Sequence, residues 1–320
     1  MKTLNYGIIS AATIVPRFVA GLNESKHSKA IAIGASSLDR AKKLADKLAI
    51  PKAYGSYLEV YQDSEVDVVY IANINDQHFP QIMEALAHGK HVICEKPMVL
   101  TTDHAKKAFA FAKEHGLFLM EAQKTVFLPT TNFIKEKIED KDFGELRQVT
   151  LNASWLIDFP KSHWIYDHHQ AGVLFSSASY IIEYLLYLLD NPKFEYKAMA
   201  HLGSKQEIDD VSITFKFNEK LIVSSQLSMI VKTNNEANFY FDKAKVTVNK
   251  FWSSNKLEIL HHESNEVETV TFEKAPEMVY EINHIYQCLM DNLIQSPIMS
   301  EEITTTCVSL VEEIYHKTKE

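Results

Sequence analysis

Apolar positions in the first 122 residues come in short uninterrupted runs separated by amphipathic stretches. Tyr6-Gly7-Ile8-Ile9-Ser10 is the first run, Ala30-Ile31-Ala32-Ile33-Gly34-Ala35-Ser36 the second, and residues 66–72, 91–94 and 117–121 follow. Runs of this length without alternation are the pattern of strands buried on both faces, as in a parallel sheet. Between them, Phe18, Val19 and Leu22, and then Leu38, Ala41, Leu44, Ala45 and Leu48, recur at helical spacing. Helices are also predicted over 77–87 and 102–115. Strands alternating with helices in this way predict a doubly wound, Rossmann-like parallel sheet, because βαβ crossovers are right-handed.

The rhythm changes near Gln123 and Lys124. The pattern predicts a helix over 129–138, a strand over 146–154, a loop over 157–170 and a helix over 174–189. Strands follow over 211–217, 221–229, 237–241, 244–249, 256–261 and 267–272, then helices over 280–294 and 302–317. Val211-Ser212-Ile213-Thr214-Phe215-Lys216-Phe217 alternates strictly, the mark of a sheet with one wet face. The expected fold is therefore α/β: a Rossmann domain over 1–123 and an α+β domain over 124–320. The second domain carries a large open, mostly antiparallel sheet, whose uncovered face suits a homo-oligomer contact.

Composition narrows the function. The 320 residues carry a net charge of −9, with 46% hydrophobic and 23% charged residues. An acidic surface of this kind argues against nucleic acid or anionic membrane as a partner. No apolar run approaches the ~18 residues of a membrane helix. Met1-Lys2-Thr3-Leu4-Asn5 leads into a strand without a signal-peptide pattern. Three scattered cysteines, Cys94, Cys288 and Cys307, fit a reducing compartment, so a cytoplasmic setting is expected.

Candidate chemistry collects where the strands end. The fourth strand stops on Glu95-Lys96-Pro97, and the carboxyl ends of strands in an open α/β sheet face the ligand crevice. The turn after the first strand reads Ser10-Ala11-Ala12-Thr13-Ile14-Val15, with Ser10, Ala12 and Val15 at the glycine positions of a dinucleotide fingerprint. The glycines are replaced, yet Ser10, Ala11 and Ala12 are small enough for backbone N–H groups to approach a pyrophosphate, the alternative being a plain tight βα turn without a cofactor. The second strand ends on Ser36 and Ser37, with Arg40 one turn into the next helix and no carboxylate at the tip. That leans toward NADP over NAD, although Ser37 is equally placed to cap the helix. Asn73, Ile74 and Asn75, with His78, leave the third strand where a cofactor ribose would lie, although asparagines there equally serve as turn formers, and Asp76 is placed to cap the following helix. His163, His168 and His169 lack a reliable ligand spacing, so no metal site is expected.

The combination resembles the Gfo/Idh/MocA family. Its elements here are Tyr6–Ser10 at the start, Val68-Val69-Tyr70-Ile71-Ala72-Asn73-Ile74-Asn75 with His78, Gly89-Lys90-His91-Val92 leading to Glu95-Lys96-Pro97, Met120-Glu121-Ala122, and Gly144-Glu145-Leu146. It is most similar to the branch related to dimeric dihydrodiol dehydrogenases. The resemblance implies an NAD(P)-dependent oxidoreductase acting on a sugar, polyol or related small alcohol or carbonyl. It places Lys96 beside the nicotinamide and the reacting carbon, with Glu95 orienting it and a cis peptide before Pro97. A family motif of glycine-rich turn, aspartate and histidine or tyrosine matches 171–180, with Ser176 at the aspartate and Tyr180 at the tyrosine. Lys96 and Tyr180 are therefore the expected catalytic pair, a phenol beside an ammonium. Trp164 matches a family tryptophan, whereas Tyr166 replaces an arginine. Gln123 and Trp164 are expected on the cofactor side, and Lys124, Tyr166 and Ser176 on the substrate side. The replaced glycines, Ser176 and the missing arginine keep open an alternative, a catalytically degenerate, ligand-binding regulatory member of the same fold.

Overall fold

A computed structural model describes residues 3–319. In chain order the first part runs β1 (Leu4–Ile9), α1 (Val15–Glu24), β2 (Ser28–Gly34), α2 (Leu38–Leu48), β3 (Lys52–Tyr54), α3 (Tyr57–Gln62), β4 (Val68–Ile71), α4 (Asn75–Ala87), β5 (His91–Glu95), α5 (Thr102–Glu114) and β6 (Leu119–Ala122). The strands form a six-stranded sheet in the order β3-β2-β1-β4-β5-β6. Every pairing in it is parallel. The order reverses between β1 and β4, so a crevice opens at their carboxyl ends. The apolar runs behave as expected: Val68, Val69, Tyr70 and Ile71 are all buried, as are Val92, Ile93 and Cys94. Burying side chains of this size contributes about 1.5–3 kcal/mol each. Ser37, Ser56 and Thr101 cap α2, α3 and α5 through their hydroxyls.

The remainder runs α6 (Pro129–Asp140), β7 (Leu146–Ser154), α7 (Gly172–Ser177), α8 (Ser179–Leu188), β8 (Phe194–Leu202), β9 (Ile208–Phe217), β10 (Leu221–Ser228), β11 (Glu236–Phe241), β12 (Ala244–Asn249), β13 (Lys256–His261), β14 (Val267–Thr271), α9 (Val279–Met290) and α10 (Glu301–Lys319). The eight strands are ordered β14-β13-β12-β11-β7-β10-β9-β8. All neighbours are antiparallel except β7 and β10, so the sheet is mixed, with one parallel pair at its centre. In β9, Val211, Ile213, Phe215 and Phe217 are buried while Ser212 and Thr214 are exposed. Tyr184 of α8 meets Phe239 of β11 edge-on, which places that helix against the buried face.

Three elements were not foreseen: β3, α3 and β8. The strands β3 and β8 lie at sheet edges, and neither shows a run of fully buried residues. The expected helix over 174–189 is two helices, α7 and α8, meeting at Ala178. The chain divides into two compact units, and the division is not a single cut. Residues up to Lys124 group with Ala275–Val308, and Thr125–Lys274 group with the last residues from Ser309 on. Within the first unit α9 packs on α1 at Gly21, where a Cβ would stand 2.9 Å from Ile282 Cδ1.

Candidate active site

In the first unit, the turn after β1 puts Ser10 at φ +88°, a conformation that a glycine would adopt without strain. Its amide donates to the Gly34 carbonyl at 2.9 Å, which ties the turn to the end of β2. Ala11, Ala12 and Ile14 are half-buried and Thr13 is exposed. The helix that follows, α1, has Ile14 at its N-cap, no capping side chain and no acidic residue in its first turn. The Val15 and Arg17 amides donate to the Ala12 and Ile14 carbonyls and Pro16 has no N–H, so what this end of the helix offers an anion is its dipole. At the end of β2, Arg40 Nη1 donates to Ser36 Oγ at 2.8 Å. Ser37 Oγ instead accepts from the Arg40 amide as a helix cap. After β4, both polar atoms of the Asn73 side chain are buried without a hydrogen-bond partner among the described residues, a donor and an acceptor suited to a ribose hydroxyl. Ile74 is the N-cap of α4, and Asn75 begins that helix, largely buried. The small turn, the uncapped helix and Asn73 together fit a dinucleotide.

The Lys96 turn is held from several sides. Tyr70 lies fully buried in the middle of β4, with its ring stacked on Phe18 at 3.6 Å. Its hydroxyl donates to Glu95 Oε1 at 2.5 Å. Burial, and then the neighbouring Glu95 carboxylate, pushes the phenol well above its usual range, so it stays a donor. The Lys96–Pro97 peptide is cis. Met98 donates its amide to the buried Glu121 Oε1 at 2.9 Å. His78, expected on the cofactor side, packs its ring against the backbone of the two neighbouring strand ends. Its ring is buried, with Nδ1 at 2.8 Å from the Pro97 carbonyl and Nε2 at 3.0 Å from the Asn73 carbonyl. Both ring nitrogens are thus directed at backbone. Gln123 and Lys124 follow β6 directly and are buried.

In the second unit, Tyr180 sits in the first turn of α8. Two tryptophans flank it, Trp155 just after β7 at 6.4 Å between ring centroids and Trp252 in the β12–β13 connection at 5.9 Å. The two indoles are 5.2 Å apart. Sequence reasoning missed both, since an aromatic residue just past a strand reads as an ordinary turn flank. Ser176 lies on α7, not on the helix of Tyr180, and its hydroxyl donates to the Gly172 carbonyl at 2.6 Å. Tyr166 is buried in its own loop: its hydroxyl donates to the Phe159 carbonyl at 3.3 Å, and Lys161 Nζ lies 4.0 Å from its ring centre. Trp164 is half-buried beside His163.

Residues 4–123 match the model of the oxidoreductase family with an NAD-binding Rossmann fold, and residues 131–247 match the GFO/IDH/MocA C-terminal domain. The chain is 30% identical to the trans-1,2-dihydrobenzene-1,2-diol dehydrogenase of Mus musculus, over 97% of this chain and 95% of that one. The Homo sapiens enzyme of that name is 29% identical, over 97% and 96%. Among solved structures, a 3-ketoreductase from Actinomadura kijaniata in complex with NADP and TDP-benzene superposes with a TM-score of 0.87 at 21% identity, covering 97% of this chain and 96% of that one. The aldose–aldose oxidoreductase of Caulobacter crescentus gives 0.88 at 20% identity, covering 99% and 98%. With both of its domains matched in this order, the chain belongs to the Gfo/Idh/MocA family of NAD(P)-binding oxidoreductases.

Proposed function

We propose that this chain is an NADP-preferring dehydrogenase or reductase acting on a sugar, polyol or related small alcohol or carbonyl. The observation that carries this is Lys96, held at the carboxyl end of β5 in a sheet whose first helix offers an uncapped N-terminus. When bound, the dinucleotide supplies or accepts the hydride. The Ser10–Ile14 turn binds its pyrophosphate, Arg40 and Ser36 its 2′-phosphate, and Asn73 and Asn75 a ribose. Lys96 holds the proton of the substrate hydroxyl at its Nζ, and Glu95 keeps that end of the strand in place. Tyr180 is the second candidate for proton exchange, through its phenol oxygen. Trp155 and Trp252 give Tyr180 flat apolar neighbours, suited to the C–H face of a sugar ring or to a cyclic diol. The relatives named as dihydrobenzenediol dehydrogenases accord with that wall.

Fluorescence titration with NADPH and NADH tests the reading, and absence of binding for both at millimolar cofactor would sink it. Lys96→Ala is expected to abolish turnover while cofactor affinity changes little; full activity in that variant removes Lys96 from the mechanism. Arg40→Ala is expected to weaken NADPH selectively, and an unchanged preference refutes its phosphate role. Ser176, with its hydroxyl tied to Gly172, favours a second reading, a ligand-binding member without turnover. Cofactor binding without oxidation of any sugar or polyol would select it. The exposed face of the second sheet, where Met199 is 82% exposed on the edge strand β8, supports a homo-oligomer, testable by light scattering. Three buried thiols outside any disulfide accord with a cytoplasmic setting.

A further inference from the structure

Among the described residues, the two ring nitrogens of His78 face hydrogen-bond acceptors, both of them backbone carbonyls. Nδ1 lies 2.8 Å from the Pro97 carbonyl and Nε2 3.0 Å from the Asn73 carbonyl. A carbonyl oxygen cannot donate, so each contact is a hydrogen bond only when the ring nitrogen carries a proton. A neutral imidazole carries one proton, and only an imidazolium satisfies both. Burial holds the ring below its ordinary range, against the opposing pull of the two carbonyl contacts and Glu95; Lys96 adds to the lowering. One proton is therefore divided between the two strand ends. The contact to Pro97 is the shorter of the two, which favours that proton on Nδ1.

We propose that His78 is a positioning residue for Lys96, in its Nδ1–H form, whose donated hydrogen bond to the Pro97 carbonyl ties the end of β5 to the start of α4. Pro97 is bonded directly to Lys96, so this contact acts one residue from the reactive ammonium. The second tie is the Met98 amide on Glu121. Together they fix the turn on both sides of Pro97, one from α4 and one from β6. The ring also reaches the Asn73 carbonyl, so the same side chain spans the segment assigned to the cofactor and the segment bearing Lys96. Displacement of a reacting group by about 1 Å can lower turnover by as much as about a hundredfold.

The inference rests on Lys96 being the proton-handling group, and two of its measurements need no turnover. In the wild-type protein, the nitrogen shifts of selectively labelled histidine are expected to report Nδ1–H at His78; an Nε2–H ring overturns the tie to Pro97. His78→Phe keeps the ring's bulk and removes the donor, while His78→Asn keeps an amide donor in a smaller side chain. Hydrogen exchange at the peptide containing Met98 is expected to quicken at least about tenfold in the Phe variant and less in the Asn variant. In the same Phe variant, kcat is expected to fall by about tenfold to a hundredfold, with cofactor affinity changed by less than about threefold and kcat partly restored in the Asn variant. A purely space-filling role predicts the reverse order of the two variants. Unchanged exchange in the Phe variant, or quicker exchange with wild-type kcat, overturns the proposal. If the wild-type protein turns over no sugar or polyol, the Lys96 reading fails by itself, and the exchange rates and nitrogen shifts still decide the tie.

Discussion

Replacing Glu281 with glutamine is expected to remove a pH dependence from the stability of this protein. Glu281 lies on α9 and is 0% exposed, and neither carboxyl oxygen has a hydrogen-bond partner among the described residues. Burial, and then the nearby Glu95 carboxylate, holds its carboxyl well above the ordinary range; Glu277 adds to this, while Lys124 and Arg17 oppose it. An unfolded glutamate ionises at about pH 4.3. The folded chain therefore keeps a proton that the unfolded chain has lost. The corresponding stability is fully present below the unfolded value and is lost as the pH rises toward the folded one. Within that window the loss runs at about 1.4 kcal/mol per pH unit. Glutamine has nearly the same shape and no charge in either state, so Glu281→Gln should lose this slope. With a urea m-value of about 3 kcal/mol/M, the variant's midpoint should gain on the wild type by about 0.5 M between about pH 5 and pH 6. Urea titrations should be followed by far-UV circular dichroism, because Trp155, Trp164 and Trp252 all lie in the second unit. Parallel pH dependences for the two proteins would refute a protonated Glu281.

Two further predictions come from the backbone. Ser10→Gly should relieve the left-handed conformation at φ +88°, raising stability by about 1 kcal/mol at most, because glycine's larger unfolded-state entropy offsets part of the relief; Ser10→Val should lower the melting temperature, and a valine variant as stable as wild type would contradict the strain. Gly172→Ala should destabilise the second unit by about 2–4 kcal/mol, since Gly172 sits at φ +74° and a Cβ there would stand 2.6 Å from the Ile208 carbonyl oxygen. Tryptophan fluorescence in urea reads that unit, and an unmoved midpoint would show that the turn can shift aside.

The parallel sheet was legible in the chain because its strands are buried on both faces, which leaves uninterrupted apolar runs such as Val68–Ile71. The caps at Ser37 and Thr101 and the placing of Lys96 at a strand end follow from equally local chemistry. The Gfo/Idh/MocA resemblance, read from short motifs at those strand ends, is upheld by matches to both domains. The edge strands β3 and β8 left weaker traces: with one side unpaired and only partial burial, they need no apolar run.

What the amino-acid order determined by itself is therefore the set of elements whose stability is local or nearly so: apolar strands, capped helices and the turn that ends on Glu95, Lys96 and Pro97. Tertiary structure alone decided the relations between distant residues. It returned Ala275–Val308 to the first unit, buried Glu281 in a neighbourhood that includes Glu95, and gathered Trp155 and Trp252 around Tyr180. It also set both ring nitrogens of His78 against backbone carbonyls, those of Pro97 and Asn73. The physical reason is the same in each case. A side chain's hydrogen-bond partners and its degree of burial are set by residues far away in the chain, and no periodicity or spacing in one segment encodes what another segment brings against it.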